Sequence, residues 1–129
     1  MPLVRMTMLE GRTPEQKRQM ADIVQEAMLE HFGAPPGDRY QVLEELPRGS
    51  IIAEDTGLGI ERSEGVVIVQ IIQQGRSDEQ KQTIYRELAA RLDAAGLVRP
   101  ADLIVSVVAN ERADWSFGLG RAQFLTGEL

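Results

Sequence analysis

Pro2 stands directly after Met1, at the start of a short apolar run over residues 2–9. Because the side chain after Met1 is small, removal of Met1 is plausible and would leave Pro2 with a free secondary amine. Such an amine can act as an acid, a base or a nucleophile toward a carbonyl group, and burial and neighbouring charge tune its protonation. The alternative is that Pro2 only begins a strand, where a proline removes no ladder hydrogen bond.

Arginines and acidic residues are the other groups that could take part in chemistry. Arg76 follows a predicted strand and precedes a predicted helix, and a guanidinium beside a helix N-terminus is a good carboxylate receptor. Asp38 begins the second predicted strand, after a turn at residues 35–37. Arg12 holds the same place in the first half of the sequence, but we expect it at the far end of the strand that Pro2 begins. Alternatively, Arg76 is a surface residue and Asp38 a turn former, and their spacing does not decide the matter.

Other kinds of catalytic chemistry find little support in the composition. There is no cysteine, which excludes disulfides, thiolate metal sites and cysteine nucleophiles. The single histidine, His31, lies near the end of the first predicted helix, where the helix dipole favours a positive charge. Histidine and carboxylates do not occur at metal-ligand spacing. We therefore expect no metal site.

Length and charge limit the class of protein and its partners. The 129 residues fit one domain over residues 1–129, and the apolar fraction of 43% is ordinary for a globular protein. The net charge of −6 argues against a nucleic-acid partner. No apolar run approaches the roughly 20 residues that span a bilayer, and no signal peptide is evident. We predict a cytoplasmic protein with neither nucleic acid nor membrane as a partner.

The sequence contains an internal duplication. Residues 11–17 and 75–81 share five of seven residues at an offset of 64, and the same offset aligns Pro36 with Pro100 and Asp38 with Asp102. We place the two repeats at residues 2–46 and 65–110, followed by a C-terminal segment over residues 111–129. Agreement at both the near and the distal motif favours duplication over chance.

Each repeat is predicted to form a strand, a helix and a second strand. Thr13 with Gln16, and Ser77 with Gln80, have the spacing of helix capping boxes. Both helices carry apolar residues on one face, and a glycine follows each of them. Residues 66–72 and 103–108 are nearly continuous apolar runs, which is typical of strands buried in a parallel sheet.

Two such units predict an α/β fold with a mostly parallel four-stranded sheet and both helices on one face. The opposite face would be apolar and uncovered, so we expect it to be covered by association of subunits. The C-terminal segment holds the only tryptophan and two of the three phenylalanines, among glycines. We predict a short hairpin there, which either covers a pocket, grips a neighbouring subunit or packs on the core.

The duplicated architecture, the Pro2 start and several motifs resemble the tautomerase superfamily, in particular its malonate semialdehyde decarboxylase branch. The resembling stretches are residues 37–41, 54–59, 76–81 and 113–127. The resemblance implies a homotrimer whose pockets each open onto a mature N-terminal proline. It implies catalytic roles for Pro2, Asp38 and Arg76, and a second arginine at the position that Gln74 occupies here. The hydrophobic wall of the pocket would be formed by Trp115, Phe117, Phe124 and Leu129.

The departure at Gln74 bears on the binding of an anionic keto acid. Glutamine can donate a hydrogen bond but carries no charge, so we expect weaker carboxylate binding, or a share taken by Arg39 or Arg121. The leading hypothesis from the resemblance is cofactor-independent decarboxylation of a small 3-oxo acid, malonate semialdehyde, to acetaldehyde and CO2. The alternatives are tautomerase or hydratase action on 2-oxo or acetylene acids with the same residues, or a non-catalytic trimeric binding protein if Met1 is retained.

Overall fold

A computed structural model describes residues 2–129 of the protein. Met1, whose removal the proline chemistry requires, lies outside the described residues. The elements in chain order are β1 (Leu3–Leu9), α1 (Pro14–His31), β2 (Tyr40–Leu46), β3 (Val67–Gln74), α2 (Asp78–Ala94), β4 (Leu103–Asn110) and α3 (Gln123–Thr126). Single 3-10 turns precede and follow β4, at Pro100–Asp102 and Arg112–Asp114. None of the helices in residues 2–129 combines the length and apolar character needed to cross a membrane.

Both long helices begin as their sequences predict. In α1 the Thr13 side chain accepts from the Gln16 backbone N–H, and the Gln16 side chain accepts from the Thr13 N–H. Ser77 and Gln80 make the same reciprocal pair at α2. These bonds satisfy donors that have no partner inside the helix, so the predicted capping boxes are confirmed.

The sheet is mixed, and the prediction of a mostly parallel sheet is wrong in one respect. Its strand order is β2-β1-β3-β4. The pairs within each repeat are parallel, but β1 and β3, which join the repeats, are antiparallel. Within a repeat the helix returns the chain to the starting end of the first strand, so the second strand runs parallel to it, whereas the connection over residues 47–66 leaves the direction of β3 free. Apolar periodicity is the same for both directions, so it did not reveal the antiparallel pair.

The core lies between the sheet and the two helices. Val4, Met6 and Met8 of β1 and Val67, Val69 and Ile71 of β3 point to that side, where α1 and α2 also contact each other. The helices contribute these buried residues: Met20, Val24, Met28, Ile84, Leu88 and Leu92. Burial of this kind stabilises a fold by roughly 1.5–3 kcal/mol per large apolar side chain.

The opposite face of the sheet has no helix over it. Tyr40, Leu3, Ile72 and Val108 stand in one row across the four strands on that face. Tyr40 and Val108 are 42% and 48% exposed. The structure thus agrees with the expectation that both helices cover one face and leave apolar residues on the other.

The predicted C-terminal hairpin is not formed, because no strand follows β4 within residues 111–129. Gly118 and Gly120 adopt positive φ angles and turn the chain twice within three residues. The Gln123 side chain accepts from the Phe117 backbone N–H at 2.9 Å and donates to the Gly118 carbonyl at 2.9 Å. A side chain therefore closes this loop, in place of the paired strands of a hairpin.

Candidate functional site

The antiparallel β1–β3 pair brings the start of β1 and the end of β3 to the same end of the sheet. We call this end, where the strands start or finish, the Pro2 edge, and the other end the opposite edge. Leu3 pairs with Tyr40 at the start of β2 and with Ile72 near the end of β3. Pro2 and Asp38 therefore lie at this edge, together with the residues that follow Ile72. Both Pro2 and Asp38 are buried. In an all-parallel sheet the end of β3 would have been at the opposite edge from Pro2.

The Arg76 side chain extends from this edge toward Phe32, the residue that follows α1. Its Nε donates to the Phe32 carbonyl at 2.9 Å, and its Nη1 donates to the carbonyls of Gln74 and Gly75 at 3.0 and 3.1 Å. The guanidinium also lies 5.8 Å from the centre of the Phe32 ring. Burial lowers the pKa of Arg76 below its ordinary value.

These contacts orient Arg76 without neutralising it. Among residues 2–129, no carboxylate forms an ion pair with Arg76 and no acceptor contacts its Nη2. A guanidinium that is fixed by carbonyls retains its full charge for an anion.

Gln74 lies on the uncovered side of the same edge, beside the chain that leaves β4. It pairs with Asn110 in the β3–β4 register. An open cleft of about 400 Å³ is lined by Gln74, Asn110, Glu111, Arg112 and Ala113. Arg112 is the cation of this cleft, and its guanidinium lies 4.6 Å from the centre of the Phe124 ring.

The two arginines that were expected to compensate for Gln74 have other partners. Arg39 donates to Asp22 at 2.6 Å and to Gln41 at 2.7 Å, toward α1. The Arg121 Nη1 lies 3.5 Å from Glu128 in an exposed pair. The cation in the same cleft as Gln74 is Arg112, which sequence analysis did not single out.

The aromatic residues of the C-terminal segment form one cluster with Tyr40. Phe117 stacks on Tyr40 at 5.7 Å and on Trp115 at 5.4 Å, and it meets Phe124 edge-on at 5.5 Å. The Trp115 indole N–H donates to the Asn110 side chain at 3.0 Å. Since Asn110 ends β4 and Tyr40 starts β2, this aromatic wall runs between the two outer strands along the edge that holds Pro2.

Leu129, the fourth residue predicted for the wall, is largely exposed. Its side chain is 56% exposed, and its backbone N–H donates to the Gln123 carbonyl at 3.3 Å. Tyr40 also belongs to the wall, although it is not part of the C-terminal segment. Its position at the start of β2, two residues after Asp38, was the available signal.

The opposite edge of the sheet carries the duplicate of these groups. Arg12 donates to the carbonyls of Gly65 and Leu97 at 2.8 and 3.0 Å. Asp102 is buried and accepts from the backbone N–H and the hydroxyl of Ser63, both at 2.6 Å. Burial alone would raise the pKa of Asp102, but the bonds from Ser63 and the charges of Arg99 and Arg12 bring it below its ordinary value.

This opposite edge has clefts of its own. Two of about 350 and 230 Å³ are both lined by Arg12, Gly65 and Leu97. Arg12 and Asp102 are already bonded within the chain, so we consider the Pro2 edge the better candidate. Within residues 2–129 no three side chains of His, Asp or Glu are grouped in a way that could hold a metal ion.

The comparisons with known proteins agree with this architecture. Residues 38–118 match a family model described as "Tautomerase enzyme", and residues 2–60 match a second model with the same description. The probable tautomerase YrdN of Bacillus subtilis (strain 168) is 45% identical over 129 residues, which is all of both chains. The chain belongs to the tautomerase family.

Two groups of solved structures resemble this chain. Malonate semialdehyde decarboxylase, studied as wild-type protein, as a proline-to-alanine variant and in an inactivated form for its decarboxylase and hydratase activities, is 43% identical with a TM-score of 0.93 over 98% of each chain. A fused 4-OT described as a symmetric trimer has a TM-score of 0.77 at 20% identity, over 97% of this chain and 98% of that one. The second likeness shows the fold alone. The resemblance stated from the sequence is thereby confirmed at the level of the superfamily.

Proposed function

We propose that this member of the tautomerase family decarboxylates a small 3-oxo acid, malonate semialdehyde, to acetaldehyde and CO2 without a coenzyme. The observation that carries the proposal is the antiparallel β1–β3 pair, because it puts Pro2, Asp38 and the Arg76 segment at one sheet edge. The 43% identity to malonate semialdehyde decarboxylase over nearly the whole chain supports the choice of substrate.

The reaction breaks the bond between the carboxylate carbon and the adjacent CH2 group. The electron pair of that bond moves toward the aldehyde carbonyl, and the CH2 carbon then takes up a proton to become the methyl group of acetaldehyde. Arg76 would hold the carboxylate, since its Nη2 and its charge are available for an anion. The apolar wall of Trp115, Phe117 and Phe124 would favour loss of that charge as neutral CO2.

Pro2 supplies the electron sink in either of two ways. A protonated Pro2 can hydrogen-bond the carbonyl oxygen and stabilise the enolate. A neutral Pro2 can condense with the aldehyde to an iminium with loss of water, and hydrolysis after decarboxylation restores the amine. Reduction with cyanoborohydride during turnover separates the two routes, because only the iminium leaves a covalent adduct on Pro2.

Both routes require that Met1 be removed, since an acylated proline nitrogen is not basic. The intact mass of the protein from its native host measures this directly. Loss of the Met1 mass is the expected result. Retention of Met1 would contradict the catalytic proposal and leave the binding protein as the remaining alternative.

Asp38 would orient the substrate or a water molecule and influence the protonation of Pro2. The supporting observation is that Asp38 is only 6% exposed at the edge where Pro2 lies. A buried carboxylate near an amine favours the charged form of the amine.

We also propose that the protein is a homotrimer. The uncovered face of the sheet carries Tyr40, Val42 and Val108, which are each at least 40% exposed. A contiguous apolar surface of this kind is typical of a subunit interface. Light scattering should give three times the monomer mass, and Val108→Lys should lower it.

A tautomerase or hydratase is the second candidate function, favoured by the YrdN relative and by the lack of a second arginine at Gln74. NMR analysis of products from a panel of 3-oxo, 2-oxo and acetylene acids distinguishes the candidates. Acetaldehyde and CO2 are expected from malonate semialdehyde, with loss of that activity in Pro2→Ala. Keto–enol exchange or hydration without any decarboxylation would replace the leading proposal with this second one.

A further inference from the structure

Gln73 is a wholly buried polar side chain near the end of β3. Its exposed fraction is 0%, and among residues 2–129 neither its amide oxygen nor its amide nitrogen has a hydrogen-bond partner. A buried amide without partners is costly, and the large majority of buried side-chain polar atoms in native proteins are bonded. A partner outside the described residues would explain the presence of this amide.

The register of the sheet shows which residues surround Gln73. Leu3 pairs with Ile72 and Val4 with Ile71, so one further step places Pro2 opposite Gln73. On the other side Gln73 pairs with Ala109 of β4. Directly opposite residues in antiparallel strands have Cβ atoms about 4.5–5.5 Å apart. The Gln73 amide is therefore within a side chain's reach of the Pro2 ring, on the side of the sheet that faces the helices.

The other end of the β1–β3 pair shows that packing does not demand a polar residue here. There the last pair on the same face is Met8 opposite Val67, and both are fully buried. An apolar pair closes the face at that end without any unsatisfied group. Gln73 is thus polar where its counterpart is not, and it is polar beside Pro2.

The nitrogen of Pro2 carries no hydrogen while Met1 is attached to it. Removal of Met1 converts it to a secondary amine, which in its protonated form has two N–H donors. We propose that Gln73 is the positioning residue of this amine: its amide oxygen accepts a hydrogen bond from protonated Pro2, and its amide N–H donates to an oxygen of the bound substrate. This inference rests on the proposed function, because it requires the mature N-terminus.

The hydrogen bond has a consequence that can be measured without substrate. A hydrogen bond to the charged form of a group favours that form, so Gln73 should raise the pKa of the Pro2 amine. The charged and titratable groups around this edge include Asp38 and Arg39 before β2, Glu30 and His31 at the end of α1, Arg76, Asp78 and Glu79 after β3, and Glu111 and Arg112 after β4. These groups are the same in the wild type and the variants, so a difference in the pKa of the Pro2 amine is due to residue 73.

The experiment compares Gln73→Met and Gln73→Glu with the wild type, in protein whose intact mass shows that Met1 is absent. The Pro2 amine is titrated by NMR with 15N-labelled proline. In Gln73→Met, which keeps the length of the side chain, we expect its pKa to fall by about one unit, a tenfold change in the protonation ratio. In Gln73→Glu we expect it to rise. Gln82→Met, an exposed position on α2, is the matched control and should leave the titration unchanged.

Kinetics provide the second readout. The acid-side limb of the pH–rate profile of Gln73→Met should move with the pKa of the amine. In the same variant kcat should fall by a larger factor than KM rises. An unchanged pKa in both variants, with a higher melting temperature for Gln73→Met, would show that Gln73 is only a tolerated buried amide, and the proposal would be wrong. If the pKa shifts but no acid in the panel is decarboxylated, the positioning role stands and the proposed reaction fails.

Discussion

The two edges of the sheet carry the same Gly-Arg-Thr/Ser motif but use its arginine differently. At one edge Arg12 donates to the carbonyls of Gly65 and Leu97, so it ties the connecting segment to the end of α2. At the other edge Arg76 donates to Phe32 and to its own segment, and it keeps Nη2 free of bonds to residues 2–129. Arg12 thus links parts of the fold, whereas Arg76 is held in place and retains one nitrogen, Nη2, that can donate to a ligand.

The equivalent aspartates of the two repeats, Asp38 and Asp102, also differ. Asp102 accepts two bonds from Ser63, in the segment that leads into β3. Ser63 therefore fixes Asp102 within the fold, whereas we propose that Asp38 orients the substrate. Duplication can in this way produce one structural edge and one catalytic edge from a single motif.

The largest expected effect on activity is the contrast between replacing Arg76 and replacing Arg12 with alanine. Arg76→Ala should lower kcat/KM about 10²–10³-fold, because a charged hydrogen-bonding group facing an anion is worth roughly 2–5 kcal/mol. Arg12→Ala should leave kcat/KM per folded molecule unchanged and lower the free energy of unfolding by about 1–3 kcal/mol. Steady-state kinetics and urea unfolding of both variants measure the contrast, and equal activities would contradict it.

Asp102 and Asp38 provide the next comparison. Asp102→Asn should destabilise the fold by about 2–4 kcal/mol, since it disturbs a buried carboxylate that accepts two bonds and faces Arg99. Asp38→Asn should reduce kcat while it changes the free energy of unfolding less than Asp102→Asn does. Urea titrations of the two variants measure the ranking. If Asp38→Asn were the more destabilising change and its kcat were normal, Asp38 would have the structural role and the assignment of a catalytic role to its edge would be wrong.

A smaller effect is expected where Gln74 replaces the family's second arginine. Arg112→Ala should raise KM about tenfold, as Arg112 is the cation in the Gln74 cleft, and Gln74→Arg should lower KM by a similar factor. Arg121→Ala, whose guanidinium faces Glu128, is the control and should leave KM unchanged. Initial rates over a range of substrate concentrations decide the point. No change in either variant would show that Arg76 binds the carboxylate alone.

The smallest expected effect is a pH dependence of stability at the Arg12 edge. The pKa of Asp102 is lowered in the folded protein, so its ionised form stabilises the fold above the unfolded pKa of about 3.9. That contribution is lost as the pH falls through the folded value. The difference in free energy of unfolding between wild type and Asp102→Asn should therefore be constant near neutrality and shrink below about pH 4.

Chemical denaturation at several pH values measures this difference. Glu26→Gln, an exposed substitution on α1, is the control. A difference that stays constant down to pH 2 would show that ionised Asp102 does not contribute to stability.

Much of the local structure could be predicted from the sequence because it depends on neighbours in the chain. The capping boxes at Thr13 and Ser77 start the helices where expected, and α1 ends two residues before Gly33, whose φ is positive. The C-terminal hairpin was predicted wrongly, because the aromatic and glycine content of that segment did not reveal that Gln123 would close the loop by its side chain.

The candidate site could be predicted only in part. Pro2, Asp38 and Arg76 were named from their residue types and from a family resemblance, and their catalytic roles stay predictions. Tyr40, Arg112 and Gln73 were missed, since each matters only through a neighbour distant in sequence. For Gln73 that neighbour is Pro2, across the antiparallel pair, and the apolar run over residues 66–72 gave no sign of it.

The sequence by itself determined the two strand–helix–strand units, since capping, helix periodicity and apolar runs act over a few residues. Only the tertiary structure decided that β1 and β3 run antiparallel, because their side-chain pattern suits either direction and the connection over residues 47–66 permits both. That one choice decides which groups share an edge. It puts Pro2 beside the end of β3, and so beside Gln73 and the Arg76 segment.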